Sequence, residues 1–340
     1  EVLSMDIGLI GFGGVGQALA GLLIEKKKYL REKYNLEINL KYIINSSGGI
    51  YNPEKIDLIH LINHIQKGKQ ISEYKDWGNY NIDSIIANGD IDTIVELTHT
   101  NISSGQPGLM HMEKALKNRM NVVTGNKGPI FLKYKYLNEL AGENGVQLMV
   151  GCTTGGALPS INGGVIEVAG SEITSMEGIL NGTTNYILSE MMEKDISYDE
   201  ALKQAQKEGI AEKNPTLDIE GYDTAVKIII LSNVILNTDL SLNDIKVEGI
   251  SHIKKEELIV LKEQEKKLKL MGKVAMKNGK ATAEVKLCEI DKSHPLYLVD
   301  GKNKGITYKT DSLGEISIIG GASGRINAAA AILRDLINLK

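Results

Sequence analysis

Proline, cysteine, phenylalanine and tryptophan are all scarce in this chain: six Pro, two Cys, two Phe and one Trp among 340 residues. Cys152 and Cys288 stand far apart with no C-x-x-C spacing, so neither a disulfide framework nor a cysteine zinc site is expected, and a reducing cytoplasm is the default. No apolar run reaches the roughly 18 residues of a membrane span, and no signal peptide opens the chain. Net charge is -4 and no basic stripe interleaves with aromatics, which argues against a nucleic-acid partner. The densest charge cluster, Lys254 to Lys269, mixes Lys with Glu along an expected helix and reads as a solvated face. His60 and His64 have metal-ligand spacing, but no third ligand lies near them in sequence, so no metal is expected there.

What remains is ordinary globular composition, 42% hydrophobic and 24% charged, with a length that favours two domains. Glycine is abundant, at 36, and much of it is clustered. Short apolar strands are expected at Met5–Ile10, Leu40–Ile44, Ile91–Leu97, Asn121–Thr124 and Gln147–Val150. Helical stretches fall between them, at Gln17 to about Lys28, near Glu54–Lys67 and near Met110–Lys117. That alternation predicts an α/β fold with a doubly wound parallel sheet covered on both faces. From about residue 155 to 300 the texture changes to α+β. A capping box opens at Ser197–Glu200, with Gly209 as the stop of that helix. A long apolar helix follows at Tyr222–Asn237, a mixed-charge helix at Lys254–Leu270 and a hairpin turn at Lys277–Lys280. The last forty residues read as Gly-punctuated strands, a loop from Gly320 to Gly324 and an Ala-rich helix, Ile326–Asn338.

Gly11, Gly13 and Gly16, in the run Gly11-Phe12-Gly13-Gly14-Val15-Gly16, give G-x-G-x-x-G between a strand and a helix. The first two allow a tight turn and close approach to a pyrophosphate, and the third allows close helix–strand packing. The helix N-terminus then offers N–H groups and partial positive charge to phosphates. In this strand–loop–helix context the run reads as a Rossmann-type dinucleotide site rather than a merely structural glycine turn. The second strand ends in Asn45-Ser46-Ser47, where an NAD-selective site carries an acidic residue, so the reading leans towards NADP, although no Arg stands beside it.

Asp223 and Lys227 are four apart and share one face of a helix that is apolar around nearly its whole circumference. A lysine there is costly unless paired, hydrogen-bonded or opened into a cleft. One reading is a structural ion pair; the other is a lysine tuned by burial for proton transfer to a forming alkoxide. Lys127, in Thr124-Gly125-Asn126-Lys127-Gly128-Pro129, follows a parallel strand at the edge where open α/β sheets bind ligands. It reads equally as a solvated loop lysine. Cys152 reads as a small buried filler rather than a nucleophile. His99 reads as a loop histidine bonded to backbone rather than a cofactor contact.

At these residues the sequence resembles the homoserine dehydrogenase family. Matching segments run in order through Val95–Thr98, Thr124–Pro129, Gly178–Leu188, Glu212–Lys227 and Tyr308–Gly314. The resemblance implies reversible NAD(P)-linked interconversion of L-aspartate 4-semialdehyde and L-homoserine, in the biosynthesis of threonine and methionine, by a cytoplasmic homodimer. It implies a dinucleotide-binding domain over residues 1–152, a catalytic and dimerisation domain over 153–312, and a C-terminal segment, 313–340, returning to the first. Lys127 and Lys227 then correspond to catalytic lysines, with Asp223 beside them. Glu212, Asp218 and Asp223 correspond to contacts with the substrate amino group, and Thr183 lies near the substrate. The glycine loop, Asn45, Ser46, Thr98, Lys127, Gly209 and Gly321 correspond to cofactor contacts. A monovalent cation is implied on the carbonyls of Thr154, Gly156 and Leu158.

Four departures stand out. Gly125 replaces the family's Ala, and Glu212-Lys213-Asn214-Pro215 replaces Glu-Ala-Asp-Pro with loss of one charge. Gly151 stands where a cation-binding glutamate is usual, and the C-terminal glycine loop reads Gly320-Gly321-Ala322-Ser323-Gly324. The chain stops before the regulatory domain of some relatives, so feedback by that route is not expected. Two alternatives stay open: another NAD(P)-linked dehydrogenase of amino-acid aldehydes or imines, and a non-catalytic NAD(P)-binding sensor.

Overall fold

The computed structural model describes residues 2–339. Its first unit opens with β1 (Leu3–Ile10), α1 (Gly14–Glu25), α2 (Lys27–Tyr34), β2 (Leu36–Asn45), β3 (Gly48–Tyr51) and α3 (Leu58–Gln66). It continues through β4 (Trp77–Gly78), α4 (Ile82–Asn88), β5 (Thr93–Glu96), α5 (Gly108–Lys117), β6 (Asn121–Thr124), α6 (Lys127–Glu143) and β7 (Leu148–Met149). The sheet order is β4-β3-β2-β1-β5-β6-β7. Strands β2, β1, β5, β6 and β7 are parallel. All four residues of β5 are buried, as expected of a central parallel strand covered on both faces. The sheet is mixed rather than wholly parallel, because β3 and β4 add an antiparallel edge. Ser46-Ser47 makes the two-residue turn that folds β3 back on β2, with Asn45 opposite Gly48. Strands of four and two residues are too short to show a period-two pattern.

The second unit covers residues 154–323. After α7 (Ser160–Asn162) come β8 (Ile173–Ile179), α8 (Gly182–Lys194), α9 (Tyr198–Lys207), α10 (Thr216–Ile219) and α11 (Tyr222–Ile235). Then follow β9 (Ile245–Val247), α12 (Lys255–Glu263), β10 (Lys267–Lys277), β11 (Lys280–Ile290), β12 (Lys304–Thr310) and β13 (Glu315–Gly320). These strands form one sheet in the order β13-β12-β8-β10-β11-β9, against which α8, α11 and α12 pack. Helix α11 buries Ala225, Val226, Ile228, Ile229, Ile230 and Leu231, as its composition requires.

Two expectations need correction here. The mixed-charge helix ends at Glu263, and Lys267 already begins a strand. Glu265 takes a left-handed φ of 56°, and Leu268 and Leu270 belong to a period-two pattern that pairs with β11. Lys269, assigned to a solvated face, is 1% exposed. Its Nζ donates to Asn185 Oδ1, Val299 O and Asp300 Oδ1 at 2.9, 2.7 and 2.9 Å. Burial pulls its pKa down, and the Asp300 carboxylate opposes that shift. Charge patterning alone cannot separate a lysine that faces water from one that caps buried carbonyls.

The chain rejoins the first unit at Gly324, later than residue 313, because β13 remains paired with β12. Its last helix, α13 (Arg325–Ile337), packs on α1 and β6. Ala329, Ala331, Ile332 and Leu336 complete the core formed by Leu9, Leu19, Ile43 and Val95. Small alanines let α13 lie close to α1. Asp335 sits in that core with no exposed surface. Burial raises its pKa to about 6, with Arg334 and the backbone of Gly151 and Cys152 opposing the shift only in part.

The native state therefore keeps a proton that the unfolded chain has lost above its ordinary value of 3.8. The penalty is absent below that value and fully present above about pH 6. Asp335→Asn is expected to be more stable than the parent at pH 8 by about 3 kcal/mol. That gain should shrink steadily on acidification, as read from urea unfolding at several pH values.

Candidate active site

At the carboxyl edge of the first sheet, Gly11 N–H donates to Ile44 O at 2.8 Å and Leu97 N–H donates to Ile10 O at 2.8 Å. The ends of β1, β2 and β5 are thereby locked together. Gly11 has φ +100°, and a Cβ on it would lie 2.6 Å from the Leu97 carbonyl, so only glycine fits. A Cβ on Gly16 would lie 2.5 Å from Gly11 O, which is the close helix–strand approach expected of the third glycine. Gly13 is different: a Cβ there would meet nothing within 4 Å. As the N-cap of α1 it offers no side-chain acceptor to the first helical N–H groups, and the first turn holds no acid. Backbone donors facing open space without a competing carboxylate fit a dinucleotide pyrophosphate. Phe12 is buried by its side chain and contributes only backbone, while Val15 is half-buried in the first turn of α1.

Asn45 has a structural task in this edge: its Oδ1 accepts from Phe12 N–H at 3.0 Å and props the glycine loop. Ser46 and Ser47 are exposed. Arg325, which was not singled out in the sequence, lies over the loop, so that a Cβ on Gly14 would sit 2.5 Å from its Nε. A remote residue brought in by the C-terminal helix leaves no local signature. Farther along the edge, Glu96 is fully buried and its Oε1 accepts from Thr98 N–H at 3.2 Å and from the Thr98 hydroxyl. Asn126 Nδ2 donates to Thr98 Oγ1 at 3.2 Å, and its Oδ1 caps α6 by accepting from Gly128 N–H. Lys127 is therefore not a loop residue. It is the first residue of α6, half-buried, and its backbone is fixed by Asn126. Gly125 suits its place, since a Cβ would press on Leu97 Cδ2 at 3.2 Å and Cys152 Sγ at 3.4 Å.

The second unit brings together four polar residues from three segments. Asn181 caps α8, its Oδ1 accepting from Thr184 N–H at 2.9 Å, and it is 4% exposed. Its Nδ2 donates to Asp218 Oδ1 at 2.6 Å and to Asp223 Oδ2 at 2.8 Å. Lys227 Nζ lies 2.6 Å from Asp223 Oδ2 and donates to Leu180 O at 2.8 Å. Both side chains of that pair keep a little exposure, 14% and 11%, so the pair opens to one side instead of closing into the core. Asn181 was missed; its signal was the Asn-Gly-Thr-Thr stretch, read as a family match rather than as a helix cap. Thr183 is half-buried and its hydroxyl donates to Ile210 O at 3.2 Å. Glu212 is exposed on the turn before α10, and its backbone carbonyl accepts from Gln206 Nε2. Gly209 takes φ +69° with open space where a Cβ would stand, so conformation rather than crowding demands glycine.

The Gly-rich turn beginning at Thr154 lies in the same unit. Thr154 Oγ1 and Ser160 Oγ are 2.8 Å apart, and Leu158 O accepts from Ser160 N–H at 2.8 Å. Gly321, with φ +72°, packs on Leu158 so closely that a Cβ would lie 2.3 Å from its backbone nitrogen. Lys304, 4% exposed, donates from Nζ to Gly155 O at 2.6 Å. No group of three or more His, Cys, Asp or Glu side chains among the described residues could hold a metal ion.

Residues 159–337 match the family model for homoserine dehydrogenase. A homoserine dehydrogenase from Methanocaldococcus jannaschii is 40% identical over 98% of both chains. An NAD(+)-dependent homoserine dehydrogenase from Pseudomonas canavaninivorans is 31% identical over 98% of this chain and 95% of its own. A crystal structure from Archaeoglobus fulgidus, provisionally named a homoserine dehydrogenase, superposes with a TM-score of 0.86 at 32% identity and covers 98% of both chains. With this agreement along nearly the whole length, the chain belongs to the homoserine dehydrogenase family.

Proposed function

We propose that this protein catalyses the reversible, NAD(P)-linked interconversion of L-aspartate 4-semialdehyde and L-homoserine. The observation that carries this reading is the cluster of Asn181, Asp218, Asp223 and Lys227, which a binding module has no need to assemble. When bound, the nicotinamide cofactor supplies a hydride to the aldehyde carbon in one direction and accepts it in the other. Reduction also requires one proton on the carbonyl oxygen. The Lys227 ammonium holds such a proton, and Asp223 and Leu180 O fix its position. Lys127, held at the start of α6, is the second proton-carrying candidate.

Asp218 and Asp223 present carboxylate oxygens suited to a substrate ammonium, and Glu212 and Thr183 border the same segment. Asn181 keeps the two aspartates oriented while adding no charge. In the first unit the backbone of Gly11–Gly16, Thr98 and Arg325 would hold the cofactor phosphates, with Asn45 supporting the loop from behind. The exposed Ser46-Ser47 turn carries no carboxylate to reject a 2′-phosphate, so both NAD and NADP are accommodated. On this reading residues 2–153 with 324–339 bind the dinucleotide, and residues 154–323 carry catalysis and dimerisation in a cytoplasmic homodimer. No helix among the described residues is long and apolar enough to cross a membrane.

Initial rates of L-homoserine oxidation with NAD and with NADP, followed by absorbance of the reduced cofactor, test the proposal. Turnover with either is expected, and cofactor binding without turnover would favour a sensor. Lys227→Met should lower kcat by roughly 100- to 10,000-fold with cofactor affinity unchanged in a fluorescence titration; a near-normal kcat removes Lys227 from the reaction. Asp218→Ala should act mainly on the KM for homoserine, raising it roughly 10- to 100-fold. Arg325→Ala is expected to raise the KM for the cofactor and leave that for homoserine alone.

A further inference from the structure

We infer that the Lys304 ammonium acts as a tethered cation for the Gly-rich turn, taking the role of the free monovalent ion implied on its carbonyls. Lys304 opens β12, where a side chain this deeply buried would ordinarily be apolar. An ammonium taken out of water costs several kcal/mol unless strong acceptors surround it. Here it donates to Gly155 O at 2.6 Å, at the residue between Thr154 and Gly156. The Leu158 carbonyl lies close by, only 2.7 Å from the point where a Gly155 Cβ would stand. Gly155 therefore admits the close approach of the Leu158 carbonyl to its own backbone, and carbonyl dipoles in so tight a turn favour a positive charge.

The residues fit a second, mobile cation poorly. One of the three expected carbonyls, Leu158 O, already accepts from Ser160 N–H, and Gly155 O accepts from Leu158 N–H as well as from Lys304. From Gly151 to Leu158 the sequence Gly-Cys-Thr-Thr-Gly-Gly-Ala-Leu contains no carboxylate to balance an added charge. A free ion must also displace an ammonium that is covalently present at high effective concentration. The absence of an acid at position 151 and the presence of Lys304 then belong together: the turn needs one positive charge, and the chain provides it. Stability and turnover should consequently be indifferent to the choice of alkali cation.

The test is thermal unfolding in KCl, NaCl or tetramethylammonium chloride at equal ionic strength, on the parent and on Lys304→Met. The parent should give the same Tm in all three salts. The variant should lose about 4 °C or more in tetramethylammonium and recover part of it along a saturable curve with K+ or Na+. Selective, saturable stabilisation of the parent by K+ or Na+ overturns the inference, as does a folded variant that responds equally to all three salts. If Lys304→Met fails to fold, the titration of the parent decides alone. Because the readout is stability, its outcome does not depend on whether homoserine is the substrate.

Discussion

The Asp223–Lys227 ion pair, set on a helix whose other side chains are mostly aliphatic, is the constraint to which the second unit answers. A lone charge there would cost several kcal/mol, so the surrounding chain is arranged to complete the pair. Leu180 turns its carbonyl to Lys227, and Asn181 joins Asp223 to Asp218 while capping α8. One amide side chain thus ties the end of β8, the start of α8, α10 and α11 into a single polar centre. On the proposed function, the partial exposure of the pair is what lets a small charged substrate exchange for water there.

Lys227, Lys269 and Lys304 are drawn into this unit, and each ends on a backbone carbonyl: Leu180 O, Val299 O and Gly155 O. Each marks a site where the chain leaves regular structure and exposes acceptors that water does not reach. Lys269 has Asp300 and Asn185 as further partners and stitches the loop before β12 to α8 and β10. Lys304 serves the Gly-rich turn. Lys227 combines a carboxylate partner with an opening. On the proposed function, that opening and that partner suit Lys227 to chemistry.

Much of this was legible beforehand, for reasons that can be named. The glycine loop could be read because backbone crowding at Gly11 and Gly16 admits one residue type, and the apolar periodicity of α11 marked Asp223 and Lys227 as exceptions. The antiparallel edge strands were not legible, being two to four residues long. Lys269 was misread since a strand of alternating Lys and Leu beside a Lys/Glu helix gives no local sign of its boundary. Asn181, Arg325 and Lys304 escaped because their roles arise from partners far away in sequence, and only folding reveals those. Lys127 was seen, but as a loop residue, because Asn126 was not recognised as the cap of α6.

Whether the Asp223–Lys227 pair exists for stability or for chemistry can be decided by neutralising both members at once. Replacing a buried pair with uncharged groups of similar shape is often neutral or stabilising, so a purely structural pair and a working one part company in the double variant. The decisive measurement is homoserine turnover of Asp223→Asn/Lys227→Met, taken on protein whose unfolding midpoint has been recorded. The account predicts a midpoint equal to or above that of the parent, with turnover reduced at least roughly 100-fold. A midpoint several degrees lower with turnover largely retained would contradict it and return the pair to a structural role.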